Sequence, residues 1–481
     1  MRGLLLSAFF VFSTLTLSAQ KIAGPLVIEP GMQEGYMLYN PTNYNKAYLV
    51  DGCGRVVNTW TSQYAAAHTI YLKPNGTLVR TNLLTNTVID GGGGSGGGVE
   101  ILDWDSNVLW SYAYNTDLVR QHHDAQVLPN GNVLLLAWEK KTTTEAIAQG
   151  RNPAKLPDNQ VWPEHIIEIH PIVPNGGEIV WEWHAWDHLI QDFDNTKANY
   201  GVVGDHPELI DLNFTTDGQK DWIHGNGMDY NSQLDQIILS AHSFNEIWII
   251  DHSTTTAQAA SHSGGKQGKG GDLLYRWGNP MAYRQGTASD TKLLGQHNPH
   301  WIAPGLNNAG KIIVFNNGPL RNYSTVEIID QPVTASGSYT LTNGKFGPDN
   351  STIAYIGDPP TSFASKNMSS AQVMPKWQPV YLFCRAGLWH RSEPVKPDYL
   401  EIQKPGDLRR DRWPHRSNHQ RQLCCAADLP NVQISIELPG IQRSDSCTPG
   451  TGGRRALRQL RPRHRPGRQT AVDDFLSEPG R

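Results

Sequence analysis

A phrase recurs along this chain, and its recurrence restricts the possible fold more than any other feature. "HTIYLKPNGTLVRTNLL" begins at His68 and "HDAQVLPNGNVLLLAWE" at His123. Pro74 lies six residues after His68, and Pro129 six after His123. "IHGNGMDYNSQLDQIILSAH" puts Tyr230-Asn231 at the turn, with His224 six before Tyr230. In "QHNPHWIAPGLNNAGKIIVF" His297 stands seven before Pro304, and Pro375 has Ser369 in the equivalent place. Each copy reads as strand, Asn-Gly-type turn, strand, because such turns supply the positive φ of a tight hairpin. Further short strands follow, among them "GVEILDWDSNVLWSYAY", "HIIEIHP", "GEIVWEWHAW" and "EIWIIDHS". Repeated antiparallel meanders predict an all-β chain folded as a β-propeller, with four-stranded blades around a central channel. The first strand of each blade lines that channel, so His68, His123, His224 and His297 are expected to meet at one mouth. A lone histidine there reads as structural. Four at one repeat position are more than a hydrophobic repeat requires.

Composition supports the same class. The 481 residues include 46 Gly, 31 Pro, 15 Trp and 17 Tyr, many of them in turns and short apolar runs. Net charge is only −4 and 18% of residues are charged, which argues against a nucleic-acid binder. The N-terminus carries Arg2, an apolar run from Leu4 to Leu17 and the ending "LSAQ". This is the pattern of a secretory signal peptide, residues 1–19, cleaved after Ala19. No later stretch is apolar for long enough to span a bilayer, so a periplasmic or secreted protein without a membrane span is expected. Cys53 is alone in the body, whereas Cys384, Cys424, Cys425 and Cys447 lie near the C-terminus. That distribution does not read as a disulfide framework.

The last part of the chain is a different kind of sequence. From Lys376 onward alternation stops, and runs such as "DLRRDRWPHRSNHQRQ" and "GRRALRQLRPRHRPGRQ" appear. Residues 376–481 hold 16 Arg against 8 in residues 1–375. "VMPKWQPV" also fails to complete the hairpin phrase. Lys-Trp-Gln-Pro-Val can be encoded AAA TGG CAA CCC GTT. Dropping the first base gives AAT GGC AAC CCG, which is Asn-Gly-Asn-Pro, and with Met374-Pro375 restores "MPNGN". A shift of reading frame at residue 376 is the expectation. It leaves a propeller domain at 20–375, a disrupted last blade, and a disordered Arg-rich tail.

The body resembles the bacterial aryl-sulfate sulfotransferases, or arylsulfotransferases. The matching pieces are "HHDAQVLPNGNVLLL", "DWIHGNGMDYNSQLDQIILS", "GKGGDLLYRWGNP" and "LLGQHNPHWI", within roughly residues 25 to 375. The resemblance implies a six-bladed β-propeller that moves a sulfuryl group from a phenolic sulfate ester to a phenolic acceptor. It implies no nucleotide donor, no cofactor and no metal. Imidazole suits a ping-pong route, since its nitrogen can accept the group and release it. Other groups must hold the sulfate oxygens and handle the phenolic proton.

By resemblance, His297 in "GQH" is the nucleophile that becomes sulfated. His224 and Asn226 in "HGN" match the sulfate-contacting and acid/base pair, and His123 matches the first active-site histidine. Adjacent strand residues face opposite sides, so only one of His122 and His123 is expected to point inward, and the repeat spacing selects His123. The same spacing prefers His297 to His300, which stays a substrate-binding candidate. Where better-studied members have Arg after "ILSS", this chain has "ILSAHSF", placing His242 there. A protonated His242 would hold a sulfate oxygen, without the bidentate fork of arginine. Arg276 in "YRWGNP" is a second candidate cation, with a structural role as its competing reading.

Clustered histidines also suggest zinc, but these come from separate blades without close pairing or an HExxH segment. The "GGGGSGGG" run at 91–98 lacks the lysine and helix of a phosphate loop and reads as a flexible blade connection. Trp222, Trp248 and Trp301 read as blade packing, with Trp301 left open as a stacking partner beside His300. The competing function is a non-catalytic propeller that binds carbohydrate or protein, or a dead copy with a scrambled last blade. Release of p-nitrophenol from p-nitrophenyl sulfate separates these from the enzyme.

Overall fold

The computed structural model describes residues 35–51, 55–156, 158–215 and 219–374, and the backbone of 379–382. The expected signal peptide, Cys53, the C-terminal cysteines and, apart from the strand at 379–382, the Arg-rich tail lie outside the described residues. Short strands, many of them buried at every position, pair antiparallel into sheets, and these form an all-β propeller with five blades.

The first blade has three strands, Tyr36–Tyr39, Lys46–Asp51 and Val56–Thr61. The second contains Ala66–Leu72, Leu78–Leu83, Gly97–Leu102 and Val108–Ala113. The third contains Val119–Val127, Val133–Glu139, Glu164–Pro171 and Gly177–His184. Gly225–Asn231, Gln236–Ala241, Glu246–Asp251 and Tyr275–Trp277 form the fourth. His297–Trp301, Ile312–Asn316, Thr325–Ile329 and Thr352–Ile356 form the fifth. A two-stranded pair, Ser370–Val373 with Pro379–Leu382, follows. The α-helices are short, Thr143–Ala148 and Thr256–Ala259, and no described helix is long and apolar enough to cross a membrane.

The hairpin phrases close as their residues dictate. Gly76 and Gly131 take φ of 86° and 87°, a region glycine enters without steric cost. The Lys73 N–H then donates to Thr77 O, and the Leu128 N–H to Asn132 O. Around Tyr230 the turn falls later than expected, with the strand running to Asn231 and Asp235 carrying the positive φ. Large aromatics fill the space between sheets. Trp138, Trp162, Trp183 and Trp248 are fully buried, and Trp222 meets Phe244 edge-on at 5.7 Å. Trp301 packs into a core cluster with Ile238, Ile247 and Leu293 and also lines the cavity beside His300.

Opening strands of consecutive blades pack side by side from the second blade to the fifth, and Ser370–Val373 packs on the fifth. Two carboxylates tie them together, Asp124 buried and Asp229 half-buried. Asp124 Oδ1 accepts from Thr69 Oγ1 at 2.9 Å, Tyr71 Oη at 3.0 Å and Ala125 N at 2.9 Å. Its Oδ2 accepts from Met228 N of the fourth blade at 3.0 Å. Asp229 repeats the device one blade on, accepting from Gln126 Nε2 and from Trp301 N, each at 3.0 Å. A buried carboxylate is costly alone but stable when several donors satisfy it. These two bolts fix the register in which the channel-lining side chains meet.

Candidate active site

The histidine positions coincide with one local distortion. Opening strands two to five lose register with their neighbours between Ala66 and Ile70, Gln121 and Ala125, Gly225 and Met228, and His297 and His300. Such bulges re-aim side chains. His123 has φ of 46° and His224 of 54°, conformations rare for non-glycine residues. The result is a row of rings crossing the mouth. Centroids are 5.4 Å apart from His68 to His123 and 5.0 Å from His123 to His224. The row continues over 5.0 Å to His242 and 5.3 Å to His297.

The glycine run is the wall of this mouth, which corrects its reading as a flexible connection. The His123 N–H donates to Gly94 O at 2.8 Å. A Cβ on Gly94 would lie 2.0 Å from His123 Cε1, and one on Gly93 would lie 2.8 Å from His224 Cε1. No side chain fits at either position.

Each ring has its own electrostatic setting. Burial lowers the affinity of His224 for a proton, but Asp221 Oδ2 at 2.6 Å from its Nδ1, with Glu164 nearby, outweighs this and raises its pKa. His224 therefore holds a proton more firmly than a free imidazole. Burial drives the others the opposite way. His68 falls to about 4, helped by the positive potential of His122 and His224. His297 falls to about 4. His242 lies well below its ordinary value through burial and its neighbours His224 and His297. The expected protonated His242 does sit in the row, where burial and these two neighbours disfavour its cation.

His297 is held by carbonyls. Its Nδ1 lies 2.8 Å from Asn317 Oδ1 and 3.1 Å from Gly295 O. Asn317 spends its amide N–H groups on Met368 O and Ser365 O, which fixes Oδ1 toward the ring. Nδ1 therefore carries the hydrogen and Nε2 the lone pair, which accepts from the Met368 N–H at 3.0 Å. Asn226 donates from Nδ2 to Gln296 O at 2.9 Å, and its buried Oδ1 has no hydrogen-bond partner.

Two candidates lie elsewhere. Arg276 is fully buried, pairs with Glu246, donates to Leu209 O at 2.9 Å and lies over the Tyr283 ring at 4.6 Å. It braces the fourth blade and is no cation for the mouth. His300 points into a cavity of about 310 Å³ along the channel, shared with Tyr71, Lys73, Gln126, Asp229 and Gln372. Residues that the sequence reading passed over are Glu164, Asp221 and Asn317. Of these only Asp221 gave a signal, three residues before His224 in "DWIHGN".

Two other groups of histidines and carboxylates stand apart from the row: His165, Glu182 and His184, and His188, His262 and Asp272. The rings of His165 and His184 stack at 3.9 Å and 21°, with both Nε2 atoms facing Glu182 Oε2 at 3.4 and 3.6 Å. His188 and His262 both contact Asp272 Oδ1 at 2.8 Å, and His188 Nε2 faces Ala259 O. These nitrogens are already engaged.

A family model described as Arylsulfotransferase (ASST) matches residues 28–341. None of the curated proteins compared with the chain matches it. Similar solved structures include hydrazine synthase of Kuenenia stuttgartiensis, 13% identical, covering 60% of this chain and 67% of its own, with a TM-score of 0.34. A functionally unknown protein from Desulfotomaculum acetoxidans is 9% identical, covering 74% of this chain and 91% of its own, at 0.33. The periplasmic gluconolactonase of Pseudomonas aeruginosa is 10% identical, covering 66% and 95%, at 0.25. Likeness at this level carries no argument.

Proposed function

This chain belongs to the arylsulfotransferase family, and from that premise we propose that it moves SO3 between phenols by a ping-pong route through His297. The family makes it a sulfotransferase acting on an aryl sulfate donor and a phenol acceptor. The observation that supports the route best is the tautomer of His297: two carbonyls hold Nδ1, so the lone pair is on Nε2, the nitrogen a nucleophile needs. That lone pair accepts the Met368 N–H, a contact the incoming sulfuryl group must displace. His224, kept protonated by Asp221, neutralises the sulfate oxygens, with Asn226 and the neutral His242 completing their contacts. His123 gives a proton to the departing phenolate and takes one from the acceptor phenol.

The same reading extends to the rest of the chain. Ser370–Val373 is the opening strand of a sixth blade, and its partner Pro379–Leu382 already lies beyond the shift of reading frame at residue 376. Residues 1–19 direct the protein out of the cytoplasm, to a periplasmic or secreted location. Incubation with p-nitrophenyl sulfate and phenol tests the function. Phenol-dependent release of p-nitrophenol together with phenyl sulfate supports it, and absence of both from the folded protein rejects it.

A further inference from the structure

Behind His123 lies a buried line of groups that the transfer route above leaves unused. His122 is fully buried and stacked on Trp138, centroids 3.9 Å apart and planes within 10°. Its Nδ1 is 2.8 Å from His123 Nδ1, and its Nε2 is 2.8 Å from Glu164 Oε2. Glu164 is fully buried too, and its Oε1 accepts from the Gly225 N–H at 2.5 Å. The line runs unbroken from the mouth into the interior of the third blade.

A contact between two Nδ1 atoms needs one donor and one acceptor, so two proton arrangements satisfy it. In the loaded arrangement, protonated Glu164 donates to His122 Nε2, His122 Nδ1–H donates to His123 Nδ1, and His123 presents Nε2–H to the mouth. In the discharged arrangement, His123 Nδ1–H donates to His122 Nδ1, and His122 Nε2–H donates to the Glu164 carboxylate. His123 then presents a bare Nε2.

We propose that Glu164 and His122 are a proton store for His123, holding one proton on the buried carboxyl while both imidazoles stay neutral. This rests on the sulfuryl-transfer reading and extends it. In the first half-reaction the donor's S–O bond breaks, the oxygen keeps the electron pair, and an S–N bond forms to His297 Nε2. The phenolate takes the His123 Nε2 proton, the His122 Nδ1 proton passes to His123 Nδ1, and the Glu164 proton passes to His122 Nε2. One proton leaves the line and one negative charge appears on Glu164. The acceptor phenol reverses each move. Glu164 and His122 act through His123 and are positioning residues.

The surroundings suit neutral rings and an uncharged acid. Burial lowers His122 to about 3, against the opposing influence of Asp221, with His224 and Arg120 adding to the decrease. His123 is lowered by burial and by His224, His122, His68 and His297. Glu164 is raised by burial and by Asp221, opposed by the Gly225 N–H and His224. A purely structural Glu164–His122 clamp would need none of this proton mobility.

Glu164→Gln separates the two. The amide donates to His122 Nε2 and locks the loaded tautomer without a proton to supply. Phenyl sulfate, whose phenolate needs a proton to leave, then loses kcat/KM by about 100-fold more than p-nitrophenyl sulfate. An equal loss for both esters overturns the store. ¹⁵N NMR of the wild-type imidazoles is the second readout. We expect His123 Nε2 to change from protonated to bare with neither ring becoming cationic, and this change to vanish in Glu164→Gln. A His123 that charges to imidazolium, or an unchanged titration in the variant, overturns the proposal. If the variant does not fold, the wild-type titration decides alone. A wild type that turns over neither ester rejects the transfer reading, while the titration still decides the store.

Discussion

On one side of the mouth, His122 and His224 lean on the carboxylates of Glu164 and Asp221; on the other, His297 leans on the carbonyls of Asn317 and Gly295. A carboxylate beside an imidazole stabilises its cation or accepts its proton. A carbonyl fixes the tautomer and offers no place for a proton. On the proposed route one type of side chain thus serves two ends, proton handling on the first side and nucleophilicity on the second. The difference lies in the partner atom, not in the histidine.

Removing the carbonyl-held nucleophile has the largest effect. His297→Asn is expected to lower transfer by about 10⁴-fold in steady-state assays, leaving the far-UV spectrum unchanged. Next is the bolt that both sides share. Asp124→Ala removes the acceptor of Tyr71, Ala125 and Met228, and is expected to cost about 3 kcal/mol in urea unfolding. A loss below about 1 kcal/mol would show that the strands hold their register without it.

Making the first side resemble the second gives a smaller effect with a distinct pH signature. Asp221→Asn replaces a carboxylate by an amide next to His224. His224 is raised above its ordinary value in the wild type, so its cation is lost only as pH rises through that raised pKa. Without Asp221 burial dominates and the pKa falls. The alkaline limb of activity then moves to lower pH, with a loss of about 100-fold at neutral pH. An unmoved limb would remove His224 from the role of cation. Least affected is His300→Gln, in the cavity away from the row, where kcat/KM is expected to stay within about threefold of wild type.

Much of this geometry was readable in the residues. The spacing between histidine and turn, six residues at three copies and seven at His297, located four rings of the row, and the turns located the strands. Alternation then assigned His122 and His123 to opposite faces, and it succeeded only in part. His123 does reach the mouth, but the bulge keeps the Nδ1 atoms of the pair in hydrogen-bonding contact. A bulge adds a residue without altering composition, so periodicity does not reveal it. Glu164 is 42 residues from His122, on a strand that reads as ordinary blade. The glycine run showed its composition but not that it packs on two rings. Arg276 carried the right charge in the wrong place, because Glu246 on the neighbouring strand had already claimed it.

The division of labour between the two sides is tested most directly by trapping the enzyme after the first half-reaction. The protein is pulsed with p-nitrophenyl sulfate in the absence of acceptor, quenched at alkaline pH and mapped by peptide mass spectrometry. We expect one added SO3, carried on His297 Nε2 and discharged by phenol. The label on His123 or His224, or turnover with no labelled enzyme, would contradict the assignment.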